Sequence, residues 1–365
     1  MKHMKVLVGI GHPAHFHYSK YVIKELQSHG HQVYIATRDV PIIIRLLDAK
    51  GLPFYNLGKK GKGIYGKLFK QIGVYAKLLW IVWSKGINIG IGSPMLISPL
   101  SKLSRMKSIN MDDDDDEVSK FAAFSHAFSS TILTPEAIKG HRKGDNAVFY
   151  AGCHELAYLH PNQFTPDISV MEKAGLEKGD IFFVLRFVAF QAYHDGGHFG
   201  ISLEQKRRII NLLSKYGRVI ITSEKEIEPE FEQYRLPVPP EEILSLMFYA
   251  TMFIGDSQTM TSEAAIMGVP ALKCNTFAGR LSVPNELEQE YGLCYAYHPD
   301  DFEKFYKHIE SLLKQSDLKE EWMKKRERFL KDKIDVSAFF TWYIENYPQS
   351  KQIMIEKPEY QYNFK

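Results

Sequence analysis

Short apolar runs alternate with helix-length stretches along the whole chain. Lys5–Ile10 is a compact apolar run, Gly9 to His17 reads as a loop, and Tyr18–His29 as a helix closed by Gly30. Gln32–Thr37 predicts the next strand and Val40–Lys50 a helix stopped at Gly51. Pro53–Leu57, Ile87–Ile91, Ser108–Met111 and Thr131–Thr134 predict short strands, with helices over Ile64–Ser84 and near Val118–Phe128. Gly140 to Pro166 reads as loop-rich. The rhythm then restarts with strands at Ile181–Phe187, Arg218–Thr222, Met252–Ile254 and Pro270–Lys273. Helices are expected at Leu203–Tyr216 (capped by Ser202), Pro240–Tyr249, Thr261–Met267, Phe302–Gln315, Leu318–Lys331 and Ser337–Asn346. Strand–helix alternation implies parallel strands joined by crossover helices. Two consecutive sets predict an α/β protein of two doubly wound parallel-sheet domains facing an interdomain cleft.

Length agrees: 365 residues at about 150 per domain is about two domains. With 46 basic and 43 acidic residues the net charge is +3, too balanced for a dedicated nucleic-acid binder. Three distant cysteines, Cys153, Cys274 and Cys294, argue against a disulfide scaffold and for a reducing compartment. The start reads as a first strand, not a signal peptide, and no stretch reaches the ~18 apolar residues of a spanning helix. The Ile64–Ser84 helix carries Lys67, Lys70 and Lys77 with Phe69, Tyr75, Trp80 and Trp83. A core helix is its first reading; contact with anionic lipid is the sharper alternative.

The most informative segment runs from Ala250 to Leu272. A strand ends at Gly255, small polar residues follow, and a helix opens. A helix N-terminus offers N–H groups and partial positive charge to phosphate. Asp256, Ser257, Gln258, Thr259 and Met260 sit there, and Glu263 lies a turn further in, suited to two ribose hydroxyls. The bland alternative is a helix simply capped by Asp256 or Ser257. Arg186 ends its strand, where a guanidinium suits a diphosphate. In the first domain, His12 and His15 follow the first strand as candidates for proton transfer or phosphate contact, although the loop lacks the full dinucleotide fingerprint. His194 and Asp195, beside a glycine pair, are candidates to orient a sugar or move a proton. Five carboxylates at Asp112–Asp116 read mostly as solvated, with Asp112 or Asp113 placed as a cleft base. No metal is assigned: the histidine sets lack a usual zinc spacing.

Six segments together resemble family 354 of the domains of unknown function, from Lys5 to about Pro348. They are Tyr150-Ala-Gly-Cys-His-Glu-Leu-Ala-Tyr-Leu-His-Pro161, Val184-Leu-Arg-Phe187, His194-Asp195, Ile221-Thr-Ser-Glu224, Gly255-Asp-Ser-Gln-Thr-Met-Thr-Ser-Glu-Ala-Ala265 and Asn285-Glu-Leu-Glu288. The resemblance implies a GT-B-like fold of two Rossmann-like domains. Its divisions are residues 1–160 (acceptor side), 161–335 (nucleotide-sugar side) and 336–365, a helix crossing back to the first domain plus a tail. More distantly, Asp256 to Pro270 is similar to the nucleotide-sugar site of UDP-N-acetylglucosamine 2-epimerases and GT-B glycosyltransferases. By motif match Ser257 inherits a phosphate contact and Glu263 a ribose contact, while Gln258-Thr259 replaces the relatives' frequent paired glycines.

These readings converge on a nucleotide-sugar-dependent glycosyltransferase of surface-polysaccharide or glycoconjugate biosynthesis. His12, Arg186, Ser223, Glu224, Asp256, Ser257, Gln258, Thr259, Met260 and Glu263 are expected to bind the nucleotide sugar. His15, Asp113, His194 and Asp195 are the catalytic candidates. A UDP-linked sugar is the expected substrate, with no separate cofactor; the acceptor is a sugar or a lipid-linked sugar. No nucleic-acid partner is expected. The expected location is cytoplasmic, with peripheral contact at the inner membrane face left open. The alternatives are a nucleotide-sugar 2-epimerase or hydrolase, and a non-catalytic nucleotide-sugar-binding or scaffold protein.

Overall fold

The computed structural model describes residues 3–59, 61, 63–116, 125–142, 144–187, 200–223 and 226–365. The chain divides into two compact units, Met1–Gln163 with Lys333–Lys365, and Phe164–Asp332.

The first unit is built on a seven-stranded sheet in the order β3-β2-β1-β4-β5-β6-β7. Its strands are β1 (Lys5–Ile10), β2 (Gln32–Thr37), β3 (Phe54–Asn56), β4 (Ile89–Gly92), β5 (Lys107–Met111), β6 (Thr131–Pro135) and β7 (Ala147–Tyr150). All neighbouring pairs are parallel. The order reverses between β1 and β4, where Gly9 pairs with Gly92. Leu7, Ala36, Leu78, Ile81, Ile97 and Leu100 form the centre of one core layer. Small residues let the helix Pro94–Leu103 lie close to the sheet: a side chain at Gly9 or Gly90 would strike Ile97.

The helix Pro94–Leu103 occupies a segment that the sequence pattern did not mark as helical. Prolines at its first position and at Pro99 disguise it. Pro99 cannot donate to the carbonyl of Met95. Tyr75 Oη of the helix Gly63–Lys85 does so instead, at 2.7 Å, so the freed acceptor is satisfied from a neighbouring element.

The chain returns to this unit at its C-terminus. Asp335 caps the helix Val336–Glu345, accepting from Ala338 N. Ile334 N donates to Ala151 O at 3.0 Å, and Ser337 Oγ to Ala157 O at 2.6 Å. A further helix, Gln349–Glu356, follows.

The second unit holds five parallel strands in the order β12-β11-β10-β8-β9. They are β8 (Phe182–Arg186), β9 (Arg218–Thr222), β10 (Met252–Gly255), β11 (Ala271–Cys274) and β12 (Cys294–Tyr297). The switch of order falls between β8 and β10. Ser202 caps the helix Leu203–Leu213 in a reciprocal capping box with Gln205, as its position in the sequence predicted. Burial on both faces explains the nearly unbroken apolar runs of β8 and β10.

Two short strands escaped the pattern: β7, within the stretch read as loops, and β12. Each has only four residues, too few for period to separate strand from loop. The helix expected near Val118–Phe128 falls largely on residues 117–124, outside those described.

Candidate functional site

In the second unit, the polar residues singled out from sequence gather at the carboxyl ends of neighbouring strands. Arg186 ends β8 and pairs in register with Gly255 at the end of β10. Its Nη1 donates to Thr222 Oγ1, the last residue of β9, at 3.3 Å, with Ser223 next in the chain. Gly255 allows the close approach, because a Cβ there would collide with the Arg186 carbonyl. The helix Gln258–Ile266 opens directly after β10, with Ser257 as N-cap accepting from Met260 N. Its beginning at Gln258, three residues before the expected start, puts Gln258, Thr259 and Met260 in the first turn. The amides of Gln258 and Thr259 have no partner within the helix, as in any first turn. Arg186 and this N-terminus therefore flank a topological switch point, where ligands of open α/β sheets bind.

Beneath this surface lies a supporting layer. Asp256 is only 2% exposed; its carbonyl accepts from Asn275 Nδ2 at 2.8 Å, and a Cβ on Gly200 would strike its carboxylate. Glu263 is buried on the helix. Lys273, on β11, is buried and donates to Gln258 Oε1. Burial lowers its pKa to about 8 against the pull of Cys294 and Glu288. The sequence reading missed Lys273, because a lysine inside an apolar strand signals nothing until its burial is known.

The first unit carries a second polar group at its own strand ends. Ser93 follows β4, its N donating to Gly9 O at 2.8 Å, across the crevice where the strand order reverses. Correcting the expectation of a loop to His17, the helix starts at Pro13 and runs to Ser28. Proline at its first position favours this start, and His12 is the N-cap, its Nδ1 accepting from Ala14 N at 3.2 Å. His15 Nδ1 accepts from Gly11 N at 3.1 Å. An amide only donates, so both rings hold their proton on Nε2. Burial, with His12 and His154 nearby, lowers the His15 pKa to about 3. His15 is thereby a neutral donor at neutral pH, a geometry that suits it poorly to the general-base role expected of it.

Asp113 meets a partner the sequence did not suggest. His154 Nδ1 lies 3.0 Å from Asp113 Oδ1. Burial opposes charge on His154, yet Asp113 raises its pKa above the ordinary value. Tyr18 packs against the His154 ring at 4.6 Å between centroids, the planes tilted by 39°. Glu155 next door is pushed up to about 7 by burial and then by Asp113. His154 Nε2, Glu155 Oε2, Tyr18 Oη and Tyr150 Oη are buried without a hydrogen-bond partner among the described residues. His154 and Glu155 lie in the Tyr150–Pro161 motif that carried the family resemblance, and that was the one signal available for them.

The aspartate run is only partly solvated: Asp114 is exposed, but its neighbours are not. Asp112 is 6% and Asp115 4% exposed. Arg142 explains why: its side chain is fully buried and its Nη1 reaches Asp116 Oδ1 at 2.6 Å and Asp112 Oδ2 at 3.2 Å. Its Nη2 donates to the carbonyls of Asp112 and Asp114, and His126 contacts both Asp112 and Asp116. Hydrogen bonding from His126 and the Arg142 charge outweigh burial and hold Asp112 below the usual carboxylate range. The guanidinium thus compensates Asp112 and Asp116, while Asp113 is paired with His154 and Asp114 is exposed.

His194, Asp195 and Glu224 lie outside the described residues. Among the described residues no group of three or more His, Cys, Asp or Glu is placed to hold a metal.

Comparison with known proteins sets this geometry in context. An uncharacterized protein of Methanocaldococcus jannaschii, MJ0665, is 21% identical over 286 residues, 75% of this chain and 82% of its own length. The UDP-GlcNAc 2-epimerase of Neisseria meningitidis bound to UDP-GlcNAc superposes with a TM-score of 0.64 at 14% identity, covering 87% of this chain and 94% of its own. The M. jannaschii UDP-GlcNAc 2-epimerase gives 0.61 at 14%, covering 86% and 94%. The calicheamicin glycosyltransferase CalG4 gives 0.60 at 13%, covering 95% and 98%. At such identities the likeness shows the fold, which is GT-B-like with two parallel-sheet α/β units, as expected. The family described as protein of unknown function DUF354 matches residues 4–287, and the chain belongs to it.

Proposed function

We propose that this protein is a glycosyltransferase that uses a nucleoside-diphosphate sugar. The observation that carries the reading is that Arg186 ends β8 beside the end of β10, from which the Ser257-capped helix opens, at the switch point of the sheet. A fixed guanidinium and fixed amides stabilise the charge that grows on a departing diphosphate. In this reading Arg186, Ser257 and the amides of Gln258 and Thr259 hold the diphosphate, Glu263 holds the ribose, and Lys273 keeps Gln258 in place. The likeness to structures of proteins bound to UDP and UDP-GlcNAc supports a uridine nucleotide. Asp113, positioned by His154, takes the proton of the acceptor hydroxyl, and neutral His15 offers a hydrogen bond from Nε2 without giving up its proton.

A second reading, a nucleotide-sugar 2-epimerase, is favoured by one observation. The first unit holds two proton carriers near one another, the Asp113–His154 pair and Glu155, which burial and Asp113 raise to about 7. Inversion at a carbon needs a proton removed from one face and returned to the other.

Thermal shift with UDP, GDP, CDP, dTDP and their sugars tests the common element. One nucleotide should raise the melting point by mass action, and Arg186→Ala or Glu263→Ala should abolish the rise. No shift with any nucleotide overturns both readings. Incubation of the binding sugar nucleotide in deuterated water then separates them: deuterium at C2 without acceptor means epimerase, acceptor-dependent release of nucleotide means transferase.

A further inference from the structure

The net charge of +3 conceals a strong segregation. From Ala49 to Met111 there are 11 basic residues and no acidic one, so the other 302 positions hold 35 basic against all 43 acidic residues. This acid-free segment contains the helices Gly63–Lys85 and Pro94–Leu103.

The same segment exposes large apolar side chains. Phe69 is 73%, Ile72 57%, Trp80 58% and Trp83 65% exposed. At about 100° per residue these four, with exposed Ala76, form one stripe along the helix Gly63–Lys85. The opposite face is spent on the core through Val74, Leu78, Ile81 and Val82. Exposed Lys70 and Lys77 lie along one edge of the stripe. At its other edge Tyr75 is bonded to the carbonyl of Met95, itself 52% exposed. The helix Pro94–Leu103 adds Leu103 at 58% exposure and exposed Lys102, with exposed Arg105 just beyond. A stripe of this size, with two tryptophans, is not ordinary soluble surface.

We propose that this face of the first unit docks on an anionic lipid bilayer. Charge and chemistry select that occupant. Exposed tryptophans favour the level of the headgroups, and basic residues without acids among them are drawn to an anionic leaflet. A second copy of this chain fits poorly, since a two-fold contact would set one basic, acid-free segment against another. No helix among the described residues is long and apolar enough to cross a membrane, so docking is by the face alone, in the manner of an interfacial helix. The proposal does not depend on what the second unit binds.

Flotation of the full chain with vesicles tests it. Vesicles of phosphatidylcholine with about one-third phosphatidylglycerol should retain the protein at ~0.1 M salt, whereas pure phosphatidylcholine should bind at least tenfold less. Lys70→Glu with Lys102→Glu, both at exposed positions, should each weaken binding about fivefold or more. Brominated lipid should quench tryptophan emission, and Trp80→Phe with Trp83→Phe should remove that quenching while Trp322, buried, and Trp342, half-buried, remain as internal references. Unchanged melting temperatures of the variants confirm that they fold. Absence of binding to anionic vesicles, equal binding to both compositions, or binding unaffected by the lysine reversals overturns the proposal. So does a stable dimer in solution that dissociates on substitution of Trp80 and Trp83. Nucleotide thermal shifts on the same preparations report separately on the second unit.

Discussion

Asp113 and His154, 41 positions apart in the sequence, meet with Nδ1 3.0 Å from Oδ1 at the carboxyl end of the first sheet. The Asp113 side chain keeps about a third of its area exposed while His154 is buried behind it. Asp113 is therefore the member able to meet a substrate, and His154 positions it. Asp113→Asn should lower turnover by about 10²–10⁴ and leave the nucleotide thermal shift unchanged. His154→Gln keeps a donor for Asp113 but removes a titrating group. A limb of the pH–rate profile should then disappear with little change in nucleotide affinity, whereas general unfolding would depress both.

Arg142 should be among the most sensitive structural positions. Arg142→Met leaves Asp112 and Asp116 buried without their cation. The expected loss is about 3–5 kcal/mol, read from urea unfolding at neutral pH. A loss below about 1 kcal/mol would show that the run is solvated after all.

His15 and His17 should make the protein acid-labile. Burial lowers both pKa values to about 3, helped by His12 and His154 at His15 and by Lys20 and His12 at His17. The unfolded chain takes up protons near 6.5 while the folded one does not, so stability is lost as pH falls from about 6.5 toward 3. Both side chains retain partial exposure, so at pH 5 each should cost roughly 1–2 kcal/mol. The loss between pH 7 and pH 5 should shrink in His17→Phe, and an undiminished loss in that variant would refute the assignment.

Lys273 predicts a slope of the same sign at alkaline pH. Its folded pKa of about 8 lies below the ordinary 10.5. Between those values the unfolded chain binds the extra proton, so stability rises with pH across that window. Compared with Lys273→Met, the wild type should gain at most about 3 kcal/mol from pH 8 to 10.5. The comparison matters because buried Cys274 and Cys294, with pKa values pushed up to about 12 by burial, destabilise both forms as pH rises. Parallel melting curves for the two proteins would remove Lys273 from the charged, buried state described here.

What the sequence by itself determined is local. The alternation of strand and helix, the Ser202 cap, and Arg186 at a strand end all follow from neighbours within a few residues, where periodicity and capping chemistry act. For the same reason the early start of the helix at Pro13 was within reach, but a histidine N-cap is an uncommon signal beside serine or aspartate. Only the tertiary structure decided the polar pairings. Asp112 to Asp116 look solvated until Arg142 arrives from the far side of β6, and Asp113 has no partner until β7 delivers His154. Tyr75 completes the turn that Pro99 breaks, and Lys273 becomes a buried support for Gln258 only once β11 lies against β10. Each depends on crossover connections that bring distant strand ends together. Such contacts leave no period in the sequence, because a charge or proton carrier is tuned by what surrounds it in space and not by what precedes it in the chain.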